Sequence, residues 1–340
     1  RPVLAALPKL DQLYNLQIHE VQEEESYRLQ FQGASHQNYK EEDKVRNQYE
    51  NFPYPRWSSL PPQPTKTIGD TLRGLFPLFR PNERMFGTCE MLVAGCGTGH
   101  QALMEARRYP DNNITAIDIS SSSLAYAQRK SREYGTNLVQ FFNTDMEAIH
   151  ELEKYFDVIE CTGVIHHLSD PLMGWKKLVD VMAPDGVMKI GLYSRVARAD
   201  VRVAQSELFP LKKPFSVEAF RIVRNKLRNY PKGHPAREVT LYTDFFSKSG
   251  LKDLLFHERE RDFTLFEIQE ILSGLSLEMI GMEMPNGNAG SKYLQMFPND
   301  PNQADVECLS AFEARHPNLF VNMYVFWCKK LSDDITRSPS

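Results

Sequence analysis

The sequence has no apolar run approaching the roughly 20 residues that a membrane-spanning helix needs. Its first residues also lack the basic, apolar and small-residue succession of a signal peptide. Cysteine is scarce: Cys89, Cys96, Cys161, Cys308 and Cys328 are odd in number, scattered and without a C-x-x-C pair. That argues against a disulfide framework or a structural zinc site, and for reduced thiols in a cytoplasm. Charge of one sign is lacking too. The 40 Lys and Arg against 44 Asp and Glu leave −4, which gives no global attraction to nucleic acid or membrane. What the chain does have is 340 residues, 41% of them apolar, enough to bury a sizeable core as one large domain or one domain with a cap.

Its most informative stretch runs from Met91 to His100. The apolar Met91 to Ala94 reads as a buried parallel strand. Gly95, Gly97 and Gly99 follow at alternate positions, where bare backbone permits a sharp turn and close approach of a ligand. A helix over Gln101 to Arg108 would aim its free N–H groups into that turn. A second strand, Ile114 to Ile117, ends at Asp118, and a carboxylate there suits the two hydroxyls of a ribose. The glycines are spaced G-x-G-x-G, not the G-x-G-x-x-G of a dinucleotide site, and no Gly-Lys-Ser/Thr is present. A turn with amide donors but no room for a pyrophosphate suits a small carboxylate. A nucleoside joined to an amino-acid carboxylate is S-adenosylmethionine.

Met91 to Asp118 resembles the first two motifs of class I S-adenosylmethionine-dependent methyltransferases. Later pieces resemble the rest in order. Phe142-Asn-Thr-Asp145-Met-Glu147 is similar to the end of the third strand, Phe156 to Pro171 to the fourth strand and active-site loop, and Pro184 to Tyr193 to a turn and fifth strand. Val45 to Trp57, Asp253 to His257 and Phe320 to Lys330 also resemble segments of bacterial methyltransferase modules often linked to tetratricopeptide repeats. The similarity runs from about Gln22 to Lys330. No 34-residue period is visible, so such an array is either absent or upstream of Arg1.

The resemblance implies an α/β fold, a Rossmann-like doubly wound, seven-strand, mostly parallel sheet with an N-terminal arm and an inserted helical cap. Residues 1–66 are polar, end in Pro61-Pro-Gln-Pro64 and read as the arm. The cofactor core spans 67–193, with strands at Asp157 to Glu160 and Val187 to Leu192. The cap is 194–263, and 264–330 completes the sheet through strands Leu277 to Glu283 and Asn322 to Cys328, with a short insert at 285–317 and a tail at 331–340. Between Arg195 and Arg237, eleven Lys or Arg face three Asp or Glu, a local +8. Ser216 is a candidate N-cap for a helix over Val217 to Asn229 that carries Arg221, Arg224 and Arg228 on one stripe. Because this insert follows the C-terminal end of the fifth strand, it is expected to overhang the site.

Residue roles follow from the resemblance. Gly95, Gly97 and Gly99 are expected to carry the methionine end of the cofactor, with Ala94, Cys96, His100 and Cys161 beside it. Asp118 takes the ribose, Ile119 follows it, and Asp145 with Met146 borders the adenine. His166 and His167 lie where the methyl group should point. Either they serve as a general base, His166 the preferred choice, or they close the loop and cap the helix starting near Pro171. The segment Tyr49 to Trp57 reads as a lid in which Arg56 or Arg46 pairs with the cofactor carboxylate while Tyr49 and Tyr54 border the methyl site, or as a proline-stiffened strap over a core edge. Tyr193, Arg195, Arg221 and Arg224 are expected on the acceptor side, or else as a solvated charged face. Asp253 to Arg261 is placed in the cap without a chemical step.

The expected function is methyl transfer from S-adenosylmethionine, giving S-adenosylhomocysteine, to oxygen or nitrogen of an acidic small-molecule or glycan-like acceptor. No metal is required and no membrane partner is expected. Few aromatics in the basic insert and no appended RNA-binding fold count against nucleic acid. The alternatives are a protein or RNA methyltransferase, and a cofactor-binding regulatory module without turnover.

Overall fold

The computed structural model describes residues 13–34, 44–136, 138–209, 216–317, 319–320 and 323–331. The expected first residue of the last strand, Asn322, and most of the 331–340 tail lie outside that set. No helix among the described residues is long and apolar enough to cross a membrane.

Helix α1 (Glu20–Ala34) and helix α2 (Lys44–Asn51) belong to the arm; α3 (Ile68–Leu75) opens the core. Strand β1 (Glu90–Ala94), α4 (His100–Arg108), β2 (Asn113–Asp118), α5 (Ser121–Glu133), β3 (Val139–Asn143), β4 (Phe156–Thr162), α6 (Pro171–Asp180) and β5 (Met182–Leu192) then alternate. The cap contributes α7 (Ala199–Leu208), α8 (Val217–Arg228) and α9 (Lys248–Phe256). Helix α10 (Leu265–Gly274), β6 (Leu277–Met282), α11 (Gly287–Met296), α12 (Val306–Arg315) and β7 (Tyr324–Lys330) finish the chain.

The seven strands form one sheet in the order β3-β2-β1-β4-β5-β7-β6, in which only β7 runs antiparallel to its neighbours. Strands buried on both faces need apolar residues at successive positions, which Met91 to Ala94 and Val187 to Leu192 largely supply. One face packs a core around Trp175, Phe326, Ile159 and Leu178; the other packs around Leu72, Val93, Leu103 and Val158. Helix starts follow local chemistry. Asp170 accepts the Met173 N–H before Pro171, Ser216 accepts the Ala219 N–H, and Thr264 with Glu267 forms a reciprocal capping box.

Several strand limits differ from expectation, β1, β2 and β6 by one residue at an end and β4 by running Phe156–Thr162 rather than Asp157 to Glu160. Strand β5 begins at Met182 rather than Val187, because Met182 pairs with Phe156 and a register shift then lets the exposed Pro184-Asp185 bow out. Strand β7 continues to Lys330 because its last residues still pair with β5 and β6. The cap helices enclose a small core of their own, with Val201, Phe220, Leu227, Val239, Phe245 and Leu251 fully or almost fully buried.

Candidate active site

The loop after β1 is built as its glycines require. Gly95, Gly97 and Gly99 all have positive φ (68°, 52° and 79°), the left-handed region that glycine enters without strain. At all three space is short as well, a Cβ on Gly99 lying 2.6 Å from Ala127 Cβ. A Cβ on Gly95 would lie 2.4 Å from Val164 Cγ2, and one on Gly97 would lie 2.8 Å from the Tyr54 carbonyl oxygen. Ala94 and Cys96 are buried, and the Cys96 N–H donates to the Ile117 carbonyl (2.9 Å).

Asp118, at the end of β2, closes the loop from the side. Its carboxylate accepts the Gly97 N–H and the Ser120 N–H, both at 2.8 Å. Burial pushes it up to about 6, against those two donors. A carboxylate has about four lone-pair sites, so two remain for a vicinal diol. Bare backbone beside a free-sided carboxylate fits the amino-acid and ribose ends of S-adenosylmethionine. Asp145 caps the turn Met146–Leu152 by accepting the Glu147 N–H (2.9 Å), and Met146 is buried behind it.

The arm crosses this loop. The Trp57 indole N–H donates to the Thr98 carbonyl (3.1 Å), the Thr98 hydroxyl donates to the Pro55 carbonyl, and the Tyr126 hydroxyl donates to the Trp57 carbonyl. His100 lies edge-on to Trp57, with centroids 5.2 Å apart, and burial lowers its proton affinity. The Tyr54-Pro55 peptide is cis. Glu50 accepts the Ser121 and Ser122 N–H groups at the start of α5, and Arg46 Nε donates to the Ile119 carbonyl (3.3 Å). Further out, Arg129 on α5 is almost wholly buried and is gripped by Glu20 and Glu24, each at 2.9 Å.

Beside the loop, arm, core and cap bring a polar cluster together. The Tyr49 hydroxyl lies 2.9 Å from Asp253 Oδ1 and 3.0 Å from His257 Nε2. The Arg259 N–H donates to His257 Nδ1 (3.0 Å), so Nε2 carries the proton of the neutral ring and donates to Tyr49, which donates to Asp253. His167 stacks on His257 at 3.6 Å, and its Nδ1 donates to the Arg259 carbonyl (2.8 Å), leaving Nε2 with a free lone pair. His166 is fully buried, stacks on Tyr193 at 3.8 Å, and neither of its nitrogens has a hydrogen-bond partner among the described residues. Arg198 lies 3.8 Å over the same Tyr193 ring and is paired with Glu260 (2.6 Å). The Tyr54 hydroxyl donates to Asp244 (2.8 Å).

Burial sorts the proton affinities. It pushes Asp253 up to about 7, opposed by the Tyr49 hydroxyl and Arg198. It holds both His166 and His167 well below the ordinary range and brings His257 down to about 3. The cluster thus offers one carboxylate that exchanges its proton near neutrality, with neutral imidazoles around it. His167, Asp253 and His257 place ligand atoms within 4.8 Å of one another. The proton on His257 Nε2 and the Tyr49 hydroxyl between His257 and Asp253 make this a hydrogen-bond relay rather than a ready cation cage.

Several expected residues stand elsewhere. Arg56 faces outward, pairing with Glu24 (3.2 Å) over the Tyr126 ring, in place of the cofactor carboxylate expected for it. Arg195 is spent on Asp262 and Glu267, both at 2.9 Å. Arg224 donates to the Phe245 and Ser247 carbonyls (both 2.9 Å), and Arg221 is exposed beside Glu218. With Arg228 and Phe246 they line an open depression of about 390 Å3 that none of the cluster residues lines. The Cys161 side chain lies in the core, where burial raises its thiol. Asp253 and His257 gained no chemical role from sequence, because their partner Tyr49 is about 200 residues away.

A methyltransferase-domain family model matches residues 91–186. An uncharacterized protein of Synechococcus sp. is 37% identical over 123 residues, 36% of this chain and 30% of that protein. A ubiquinone biosynthesis O-methyltransferase of Actinobacillus pleuropneumoniae is 31% identical over 134 residues, 38% of this chain and 55% of that protein. The match therefore spans about half or less of these relatives. Among solved structures, PKMT2 from Rickettsia typhi has the same fold at 16% identity, with a TM-score of 0.58 over 84% of this chain and 55% of that one. That protein has also been solved in complex with AdoHcy.

Proposed function

We propose that this chain is a class I S-adenosylmethionine-dependent methyltransferase, a reading supported by its methyltransferase-domain match and its fold, and that it methylates a hydroxyl oxygen presented to the Tyr49–Asp253–His257 cluster. Bound at the Gly95–Gly99 loop and Asp118, the cofactor supplies an electrophilic methyl group. In-line displacement then asks two things of the protein: alignment, worth up to about 7–11 kcal/mol of barrier, and removal of the acceptor's proton. The observation that carries the reading is Asp253, a buried carboxyl with a proton affinity near 7 beside the loop. A base matched to neutral pH contributes typically about 10²–10⁴-fold. Tyr49 holds that carboxylate in place, and His257 holds Tyr49. His166, the preferred choice if one of the two histidines is the base, is a weaker acceptor here because burial disfavours its charged form; its ring stacks on Tyr193.

The similarity to an O-methyltransferase supports oxygen over nitrogen. The acidic character of the acceptor rests on the arginine depression. The turn Thr243–Phe246 joins the two places: Asp244 holds Tyr54 at the cluster, and Phe246 lines the depression. An acceptor with a hydroxyl at one end and a carboxylate or phosphate at the other would span them, its acid on Arg221 and Arg228.

The test is calorimetry with S-adenosylmethionine and S-adenosylhomocysteine, followed by incubation with methyl-labelled cofactor and an extract of the source cells. Label in an acidic small molecule supports the reading. Label in protein or RNA overturns the acceptor class, and binding without any labelled product returns the chain to a regulatory module.

A further inference from the structure

The face of the sheet covered by α3 and α4 carries charge in its centre, where strands buried on both faces usually carry aliphatic side chains. Glu160 on β4 and Lys189 on β5 are cross-strand neighbours, and Lys189 is opposite Trp327 on β7. The Lys189 ammonium lies 3.4 Å from Glu160 and 3.6 Å from Glu283. Glu283 in turn accepts the Trp327 indole N–H (2.7 Å). Glu105, almost wholly buried on α4, faces the same space, and burial together with Glu160 raises its proton affinity. Between these groups is a cavity of about 410 Å3.

Glu160 is the anomaly. It is 1% exposed, yet neither carboxylate oxygen receives a hydrogen bond, and Lys189 is its one ion-pair partner among the described residues. Buried charges are normally both paired and hydrogen-bonded. Glu105 is held by Arg108 (3.7 Å) and Gln101 (2.8 Å), whereas Glu160 and Glu283 share the single Lys189 ammonium. The shortfall of positive charge and N–H donors is therefore at Glu160, and Met91, Leu75 and Trp327 give the cavity apolar walls.

We propose that this cavity binds a small organic ammonium, its N–H groups donating to Glu160 and its hydrocarbon body lying against Trp327 and Leu75. An anion would meet Glu105, Glu160 and Glu283 together. A neutral molecule would leave the charge deficit in place. The site is separate from the methyl-transfer cluster, and nothing in it depends on the acceptor assigned there.

The probe is phenethylamine, with its neutral isostere 2-phenylethanol and potassium chloride at equal ionic strength as controls, in calorimetry and thermal melts of the full chain. Phenethylamine is expected to bind one to one and raise Tm, and the two controls to do neither. Glu160→Gln keeps the shape and removes a buried charge, so it should fold; it is expected to weaken amine binding about tenfold or more with S-adenosylmethionine affinity unchanged. Glu283→Gln, nearer the surface, should weaken amine binding in the same direction. Equal effects of amine and alcohol, equal effects of amine and potassium, or full amine affinity in Glu160→Gln would each overturn the proposal. Because cofactor affinity is read in parallel, failure here is distinguishable from failure of the methyltransferase site.

Discussion

Replacing Asp253 by asparagine tests the base assignment through two properties that should move in opposite directions. In the folded protein burial lifts this carboxyl from 3.8 to about 7. At about 1.4 kcal/mol per pH unit, that rise corresponds to at most about 4 kcal/mol. Its sign follows from linkage. A raised folded value means that the native state holds the proton longer than the unfolded chain does. The associated stability is present in full below about pH 4 and is lost as pH climbs through about 7. Near pH 8 the wild type therefore bears the cost of a buried carboxylate, which an amide of the same shape does not. Urea unfolding should find Asp253→Asn more stable than wild type near pH 8, by up to about 4 kcal/mol, with the gap closing in mild acid. Methyl transfer should fall by about 10²–10⁴-fold. The rise of wild-type kcat/KM through about pH 7 should disappear from the variant. Cofactor affinity should hold. A variant that keeps the pH rise, or retains activity without any gain in stability at high pH, would refute the reasoning, since both effects come from one buried proton.

The other predictions concern the loop, the arm and the cap. Asp118→Ala should weaken S-adenosylmethionine by more than tenfold in calorimetry, because the ribose loses two charge-assisted hydrogen bonds of about 1.5–3 kcal/mol each; an unchanged Kd would displace the cofactor from this loop. Gly97→Ala places a methyl group 2.8 Å from the Tyr54 carbonyl at φ 52°, so the protein should lose about 1–2 kcal/mol from the left-handed backbone alone and the Tyr54–Trp57 segment should become accessible to protease. A melt and a proteolysis course identical to wild type would show that the arm does not lie on the loop. Arg221→Glu with Arg228→Glu should raise the acceptor's KM while leaving cofactor Kd alone, and steady-state kinetics without such a change would make the depression a plain solvated surface. Arg224 is left out of that pair because its guanidinium holds the carbonyls of Phe245 and Ser247.

The proposed chemistry sits at a junction of three parts of the chain. The core provides the loop and Asp118, the arm provides Tyr49 and Tyr54, and the cap provides Asp253 and His257. Helix α2 is the connector, since its Tyr49 meets Asp253 while its Gln48 accepts the Glu258 N–H (3.1 Å). Movement of the arm would therefore uncover the cofactor loop and dismantle the relay together.

Much of this was legible in the residues themselves. The Gly95–Gly99 turn is demanded by backbone that only glycine adopts without strain, and Asp118 by its place at a strand end; both requirements involve neighbours in sequence, so they show in sequence. The alternation of strands and helices and the Ser216 cap were readable for the same reason. The side-chain assignments made at a distance fared differently. Arg56 and Arg195 have the right charge for an anion, but Glu24 for one, and Asp262 with Glu267 for the other, reach them first. His166 has the right ring for a base, but burial without a hydrogen-bond partner lowers its proton affinity. Asp253 acquires its raised proton affinity only because the packing of arm and cap removes it from water beside Tyr49. Local backbone demands are properties of adjacent residues, so the sequence alone determined the glycine turn and the alternation of strands and helices, whereas the order of the strands in the sheet came from the structure. Proton affinities depend on which distant groups share a dry space, and only the packing of arm and cap onto the sheet decided that.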